Sequence, residues 1–131
     1  MKFQTLSGRT RTVSHARKYS IDWGSASKSK LQKRVKDFLS SIWRAHVVFE
    51  EFPVAGTKMT FDFFNASKKI IVEVQGGQHK RYTPFFHSNN KANFISQLRR
   101  DKDKMRFCDI NSLKFIEVYE EDDLSPNLFL Q

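Results

Sequence analysis

The chain has 131 residues, which suits one domain, and its 39% hydrophobic content is enough to form a core. No apolar run approaches the roughly 18 residues of a membrane helix. The first twenty residues also lack the apolar centre of a signal peptide, so we expect a cytoplasmic protein without a membrane partner. A single cysteine, Cys108, excludes an internal disulfide and a cysteine-rich zinc site. Any metal must therefore be held by other ligands.

The formal net charge of +9 is concentrated in the first part of the chain. Residues 1–50 carry eleven Lys and Arg against three Asp and Glu, a net +8, whereas residues 51–131 carry twelve against eleven, a net +1. A localised basic region is typical of proteins that bind a polyanion. We favour nucleic acid as that partner, with ribosomal and membrane-surface binding as the alternatives for a basic chain.

Residues 1–28 are rich in Ser, Thr and Arg and show no sustained hydrophobic period, which predicts a basic, irregular N-terminal arm. Residues 29–131 are expected to form the core domain. An amphipathic helix is predicted to follow the arm, with a capping box formed by Ser29 and Gln32. Its apolar stripe consists of Leu31, Val35, Phe38, Leu39 and Ile42. Its opposite, polar face holds Lys30, Lys33, Arg34, Lys36 and Arg44.

Three β-type runs follow this helix, at residues 47–53, 59–64 and 70–75, and the last two are joined by a polar turn. A second helix is predicted from about residue 92 to 110 and a last strand at 113–119. The predicted fold is α/β, with a mixed sheet of about four strands flanked by two helices in the order α-β-β-β-α-β.

The second helix has a predicted apolar stripe on which one acidic residue, Asp101, also falls. The apolar members of that stripe are Phe94, Leu98, Met105 and Cys108. Asn111 follows the helix and is a suitable residue for a left-handed stop. Because an ionised aspartate is almost never buried alone, Asp101 needs a partner.

Two carboxylates inside the β-type runs are predicted to share one face of the sheet. Side chains alternate along a strand, so Asp62 faces away from Phe61 and Phe63, and Glu73 faces away from Val72. A hairpin then brings Asp62 and Glu73 together. Two such charges repel each other and are costly to desolvate, so a hard cation, a basic partner or solvent must compensate. Mg²⁺ suits the first alternative, because it takes oxygen ligands and can activate water.

The order of helix, Asp62, ten residues, Glu73-Val74-Gln75, helix and strand resembles the core of PD-(D/E)XK nucleases, in which Gln sometimes replaces the last Lys. One branch is more similar. Residues 73–79 (EVQGGQH), 85–87 (FFH) and 100–104 (RDKDK) resemble relatives of the very-short-patch repair endonucleases, a branch that includes phage homing endonucleases with an EDxHD pattern. The resemblance covers roughly residues 29–118.

The resemblance implies a role for each matching residue. Asp62 would be the principal metal ligand, and Glu73 would be a second ligand or would position the water. Gln75 would occupy the usual lysine position. His79 would polarise the attacking water or meet the scissile phosphate, and Asp101 would complete the site from the second helix.

Gln32 departs from the family pattern. The glutamate that the family carries on its first helix, in a Ser-Lys-x-Glu context, falls on Gln32 here. A neutral amide oxygen in place of a carboxylate would lower metal affinity or turnover. Each candidate also has a structural alternative: solvated strand residues for Asp62 and Glu73, a turn cap for His79, an ion pair for Asp101 and the capping box for Gln32.

The predicted partner is double-stranded DNA, held through its phosphates, because such contacts position a duplex without reading its sequence. The candidate contacts come from the arm, the first helix and the segment after the third strand. They are Arg9, Arg11, Arg17, Lys18, Lys30, Lys33, Lys80 and Arg81.

The resemblance and the charge together predict a Mg²⁺-dependent DNA endonuclease, with Mn²⁺ as a substitute, of the phage homing type. A homodimer would allow both strands to be cut, whereas a monomer would nick one strand, as in mismatch repair. The alternative from another class is a non-catalytic DNA-binding module that has lost turnover. RNA is a third alternative, because basic charge does not distinguish it from DNA.

Overall fold

The computed structural model describes residues 1–75 and 91–130. Two helices, six strands and two short 3₁₀ helices make up this part of the chain. In chain order they are β1 (Lys2–Gln4), β2 (Thr10–Thr12), a 3₁₀ helix (Ala16–Tyr19), α1 (Lys30–Trp43), β3 (Val48–Pro53), β4 (Thr60–Asn65), β5 (Ile70–Gln75), α2 (Lys91–Ile110), β6 (Lys114–Tyr119) and a 3₁₀ helix (Pro126–Phe129). No helix within these described ranges is long and apolar enough to cross a membrane.

The main sheet has four strands in the order β3-β4-β5-β6. The β3–β4 and β4–β5 pairs are antiparallel, and β5 and β6 are parallel because α2 forms the crossover between them. The predicted α/β fold with a mixed sheet and two helices is therefore confirmed. The predicted bounds of the helices and strands also agree with the structure to within about one residue.

The sheet separates two hydrophobic clusters. Leu39 of α1 packs with Phe63 and Val72 in one cluster, and Phe107 of α2 packs with Ile71 in the other. Neighbouring residues of β5 thus contribute to opposite sides, as the alternation of a strand requires. All five side chains are almost completely buried.

The prediction that Phe61 and Phe63 share one face was wrong. Both are buried, but Phe61 packs in the cluster of α2 and Phe63 in the cluster of α1. The cause lies in β3, where Glu51 has a left-handed backbone with φ of 52° and interrupts the alternation. Phe52 therefore joins the cluster of α2, and Phe61, which pairs with Phe52, packs there too.

The sequence predicts an irregular N-terminal arm, but the structure forms two short strands there. Strands β1 and β2 pair antiparallel, and we call them and their connecting turn the N-terminal hairpin. Phe3 is buried in the core, with its ring centroid 5.7 Å from that of Phe107. Arg106 donates to the Leu6 carbonyl oxygen at 2.8 Å, and Asn111 bonds both the N–H and the carbonyl of Gln4. The hairpin is thereby fixed to α2.

Two details of α2 also differ from prediction. Leu98 and Met105 are each 44% exposed, and the buried side chains of the helix include Phe107 and Cys108. The left-handed residue after the helix is Ser112, with φ of 57°, and not Asn111, whose side chain is hydrogen-bonded to Gln4 of the N-terminal hairpin.

A buried ion pair fixes α1 to β3, and it includes a residue that the sequence had placed on the polar face of α1. Lys36 is completely buried. Its Nζ lies 2.8 Å from Glu50 Oε1 and donates to the carbonyl oxygen and the Oγ of Ser25 at 3.1 and 3.0 Å. The three protons of the ammonium group are therefore satisfied, which is what allows the charge to be buried.

Truncation of Lys36 should destabilise the protein strongly. Lys36→Ala leaves the Glu50 charge buried without its cation, which typically costs about 3–5 kcal/mol. Lys33→Ala, one turn away in a more exposed pair with Asp37, should cost less than about 1 kcal/mol. Urea unfolding of both variants measures the difference, and equal costs would show that the buried pair does not stabilise the fold.

Candidate active site

Asp62 and Glu73 lie together where β4 and β5 separate. The paired register of these strands extends to Phe63 and Val72. Beyond it, the Asp62 N–H donates to Glu73 Oε2 at 2.7 Å, and the Val74 N–H donates to Asp62 Oδ2 at 2.7 Å. Each carboxylate thus accepts a hydrogen bond from the backbone of the opposite strand. We call Asp62 and Glu73 the crossed carboxylate pair.

The crossed carboxylate pair is buried, and each member has a lysine partner. Both carboxylate side chains are only 5% exposed. Lys28 Nζ, just before α1, lies 3.0 Å from Asp62 Oδ1, and Lys104 Nζ of α2 contacts Glu73 Oε1. Two ammonium groups and two backbone N–H donors therefore compensate for the burial of the two carboxylates.

Burial and mutual repulsion shift the titration of the pair. Burial, and then the charge of Asp62, raise the pKa of Glu73 to about 7, although Lys104 opposes the rise. Burial also raises the pKa of Asp62, against the stabilising effect of the Val74 N–H and then of Lys28. Partial burial lowers the pKa of Lys28, but the charges of its acidic neighbours, Asp62 foremost, produce a net rise. Perturbed carboxylates in a cleft are typical of functional sites.

A cleft of about 370 Å³ opens over the crossed carboxylate pair. Lys28, Gln32, Lys104 and Gln75 are among the other residues that line it. Gln32 is 1% exposed, and its Oε1 is the one buried side-chain oxygen or nitrogen within the described residues that has no hydrogen-bond partner. Such an atom normally needs a donor, a water or an ion.

Gln32 is held in this position by two consecutive glutamates. Its Nε2 donates to Glu50 Oε2 at 2.9 Å and to Glu51 Oε2 at 3.1 Å. Successive strand residues normally face opposite sides, and both can reach Gln32 because Glu51 adopts the left-handed conformation. That conformation costs on the order of 1 kcal/mol and clusters at functional sites. The predicted capping box is half formed, since Ser29 Oγ accepts from the Gln32 N–H while the Gln32 side chain turns to the glutamates.

Gln75 and Asp101 lie near Glu117 of β6. Gln75 Nε2 donates to Glu117 Oε2 at 3.0 Å, and Asp101 Oδ1 accepts from Gln97 Nε2 at 2.9 Å. Burial and the charge of Asp101 raise the pKa of Glu117. Asp101 thus has an amide donor where an ion pair with Arg or Lys was the structural alternative, and its charge acts on Glu117.

The basic candidates of the arm are exposed: Arg9, Arg11, Arg17, Lys18 and, at the start of α1, Lys30. Lys33 is only half-exposed and donates to the Trp23 carbonyl oxygen and to Asp37. His79, Lys80, Arg81 and the segment 85–87 lie outside the described residues.

The sequence alone does not predict a site role for four residues: Lys28, Lys104, Glu50 and Glu51. The two glutamates carry a signal, since they are adjacent in the otherwise apolar run 48–53 (VFEEFP). Lys104 carries one as well, since it lies in the segment 100–104 (RDKDK) that contributes to the family resemblance. Lys28 carries none, because lysine on an exposed segment is common. The proximity of both lysines to the crossed carboxylate pair is a property of the tertiary structure.

The cleft offers the chemistry that a Mg²⁺ or Mn²⁺ ion requires. The described residues contain no group of three His, Cys, Asp or Glu side chains that could hold a metal. Mg²⁺, however, commonly binds through one or two carboxylates and completes its shell with waters and substrate phosphates. Asp62, Glu73 and the unpartnered Gln32 Oε1 are oxygen donors of this kind, so the residues fit such an ion.

The raised pKa of Glu73 predicts a pH-dependent stability. Between about pH 4.5 and 7 the folded protein binds a proton on Glu73 that the unfolded chain has lost, so the free energy of unfolding falls as the pH rises through this range. Glu73→Gln should remove that slope and raise the stability at pH 8 by about 1–3 kcal/mol. Denaturant titrations at several pH values test this, with the exposed Glu120→Gln as control. An unchanged slope in Glu73→Gln would contradict the assignment.

Three viral proteins are similar to this chain. It is 31% identical over 114 residues to uncharacterized protein 033L of Invertebrate iridescent virus 3, across 81% of this chain and 58% of that protein. It is 36% identical over 72 residues to uncharacterized protein 307L of Invertebrate iridescent virus 6, across 54% and 36% of the two chains. It is 33% identical over 66 residues to uncharacterized protein 094L of Frog virus 3 (isolate Goorha), across 50% and 43%. The chain thus spans about half the length of these relatives, and neither a protein-family model nor a solved structure matches it.

Proposed function

We propose that the protein is a Mg²⁺-dependent DNA endonuclease of the PD-(D/E)XK type, which hydrolyses phosphodiester bonds and acts as a homing-type enzyme. The observation that carries this proposal is the crossed carboxylate pair, which lines a cleft together with Gln32, whose buried Oε1 has no hydrogen-bond partner within the described residues. Two repelling carboxylates are costly to bury at one point, and a metal ion that assists hydrolysis would compensate their charge.

Each residue of the cleft would have a separate role in hydrolysis. Asp62 and Glu73 would hold the ion, with Gln32 Oε1 as a further oxygen donor. The ion would polarise a phosphate oxygen and lower the pKa of a bound water. In the metal-free protein burial and the charge of Asp62 raise the pKa of Glu73 to about 7, so binding of the ion near neutral pH would release the proton that Glu73 partly retains. Lys104 holds Glu73 in place and keeps an ammonium group beside it.

The arrangement of elements supports the same assignment. The order α1, β3, β4, β5, α2, β6 places Asp62 and Glu73 on adjacent antiparallel strands. Gln75, at the usual lysine position, is hydrogen-bonded to Glu117. The ammonium group in contact with Glu73 therefore comes from α2, through Lys104.

Double-stranded DNA would be held by the N-terminal hairpin. Arg9 and Arg11 are exposed, and both line an open cavity of about 540 Å³ together with Gly56. Gly56 belongs to the turn between β3 and β4, and Asp62 is the third residue of β4 after that turn. Arg9 and Arg11 therefore lie near the turn from which β4 leads to Asp62, as a duplex that spans both would require.

A non-catalytic DNA-binding module is the second candidate. It is favoured by the lysine that neutralises each carboxylate and by the neutral Gln32 where the family carries glutamate. Both candidates bind DNA, and they differ in whether the backbone is cut.

Asp62→Asn should abolish cutting and keep most of the DNA binding. The amide keeps an oxygen that can accept from the Val74 N–H but removes the charge that would hold the ion. We expect the rate of plasmid cleavage with Mg²⁺ or Mn²⁺ to fall by more than the roughly 10- to 100-fold that loss of an outer metal-site partner costs.

The matched control is Asp37→Asn, which neutralises an exposed aspartate on α1. It should cut as the unaltered protein does. DNA binding without cleavage by the unaltered protein in either metal would reject the enzyme and favour the module. Matched DNA and RNA duplexes as substrates identify the nucleic acid. Nicked versus linear product, together with the solution mass, separates a nicking monomer from a dimer that cuts both strands.

Loss of the hairpin arginines should change the salt dependence of binding. Each phosphate contact contributes about 0.9 to the slope of log K against log salt on duplex DNA. Arg9→Ala/Arg11→Ala should therefore reduce that slope by about 2 and weaken binding similarly for different DNA sequences. Lys68→Ala, in the turn at the other end of β4, serves as control. An unchanged slope in the double variant would remove the hairpin from the interface.

A further inference from the structure

The two lysines at the crossed carboxylate pair are held very differently, and this difference points to separate roles. We propose that Lys28 is an exchangeable internal cation: its ammonium group occupies the position of the divalent metal at Asp62 and leaves when the metal binds. Lys104, in contrast, is a permanent counter-ion of Glu73. The proposal rests on the proposed function, because it assumes that Asp62 is a metal ligand.

Burial separates the two ammonium groups. The Lys104 side chain is 13% exposed and projects from the middle of α2, so its contact with Glu73 is fixed by the packing of the helix. The Lys28 side chain is 60% exposed and belongs to the segment before the N-cap residue Ser29. Because the Lys28 side chain is largely exposed, its ammonium group can be hydrated once a metal ion replaces it at the buried Asp62.

The geometry gives Lys28 a second partner. Its Nζ lies 3.0 Å from Asp62 Oδ1 and 3.5 Å from Glu51 Oε2. The Glu51 side chain is more exposed than that of Asp62, at 40% against 5%. When a metal takes Asp62 Oδ1, the ammonium group can move toward Glu51 and stay paired. The strained backbone of Glu51 therefore places an acceptor for the displaced lysine beside the cleft.

The surroundings of Asp62 have the character of a cation site. Asp62 Oδ2 is used by the Val74 N–H, and Oδ1 is the oxygen that Lys28 contacts. Gln32 lines the same cleft, and its buried Oε1 has no donor within the described residues. Asp62 is buried, and few other groups compensate for its charge. In the metal-free protein Lys28 neutralises it. A divalent ion competes for that oxygen and can also engage Gln32.

The test measures Mn²⁺ binding by electron paramagnetic resonance, without DNA, on the full chain. Lys28→Met removes the competing charge and keeps the aliphatic length, so Mn²⁺ should bind roughly three- to fivefold more tightly than in the unaltered protein. Lys28→Arg keeps a cation and should bind Mn²⁺ about as the unaltered protein does. Lys58→Met, an exposed lysine in the turn between β3 and β4, is the matched control and should leave the affinity unchanged.

A second measurement follows the lysine itself. Acetylation of lysines at limiting reagent, read by mass spectrometry, should show a faster reaction of Lys28 when Mn²⁺ is added, because the displaced amine becomes more accessible. Lys104 should stay protected in both states. Thermal unfolding should show that Lys28→Met is less stable than the unaltered protein without metal and gains more stability from Mn²⁺.

The outcomes distinguish the failure of this inference from the failure of the proposed function. Equal or weaker Mn²⁺ binding by Lys28→Met, while the unaltered protein binds and Asp62→Asn does not, would overturn the exchange and leave the metal site intact. Unchanged Lys28 acetylation on Mn²⁺ binding would overturn it as well. Absence of Mn²⁺ binding in the unaltered protein and in Lys28→Met would overturn both the exchange and the metal-dependent function.

Discussion

The structure depends on one place in the sheet where side-chain carboxylates replace backbone carbonyls as hydrogen-bond acceptors between two strands. Where β4 and β5 would continue their ladder, Asp62 and Glu73 each accept an N–H from the opposite strand. The strands can separate there without leaving buried donors unsatisfied. The same hydrogen bonds hold the two carboxylates side by side. They therefore produce both the separation of the strands and the acidic site.

The cost of this arrangement is distributed over the surrounding elements. Lys104 and Lys28 supply positive charge from α2 and from the segment before α1. The buried pair of Lys36 and Glu50 fixes α1 to β3, and the left-handed Glu51 turns a second glutamate toward the same helix. Burial of charge is tolerated because, within the described residues, every buried side-chain oxygen and nitrogen except Gln32 Oε1 has a hydrogen-bond partner, and Gln32 lines the cleft.

Local pattern was a good guide to the elements and a poor guide to faces that depend on irregular backbone. The 3.6- and 2-residue periods located both helices and the four main strands, because burial of an apolar face imposes those periods. The face of Phe61 was wrong because a single left-handed residue on the neighbouring strand shifted the alternation. The N-terminal hairpin was missed because its two three-residue strands are too short for a period to show.

The α/β arrangement, the basic character of the N-terminal region and the meeting of Asp62 and Glu73 could all be predicted from the sequence, since they follow from local periodicity, composition and the parity of a hairpin. The groups that surround that pair could not be predicted in this way, because they depend on tertiary packing. Lys28, Lys104 and Glu51 reach it from segments distant in the chain, and their positions depend on how the two helices pack on the sheet. The hydrophobic pattern of the sequence predicts that the helices pack on the sheet. Contacts between long polar side chains depend on the detailed geometry of the packed elements, and sequence periodicity does not predict that geometry.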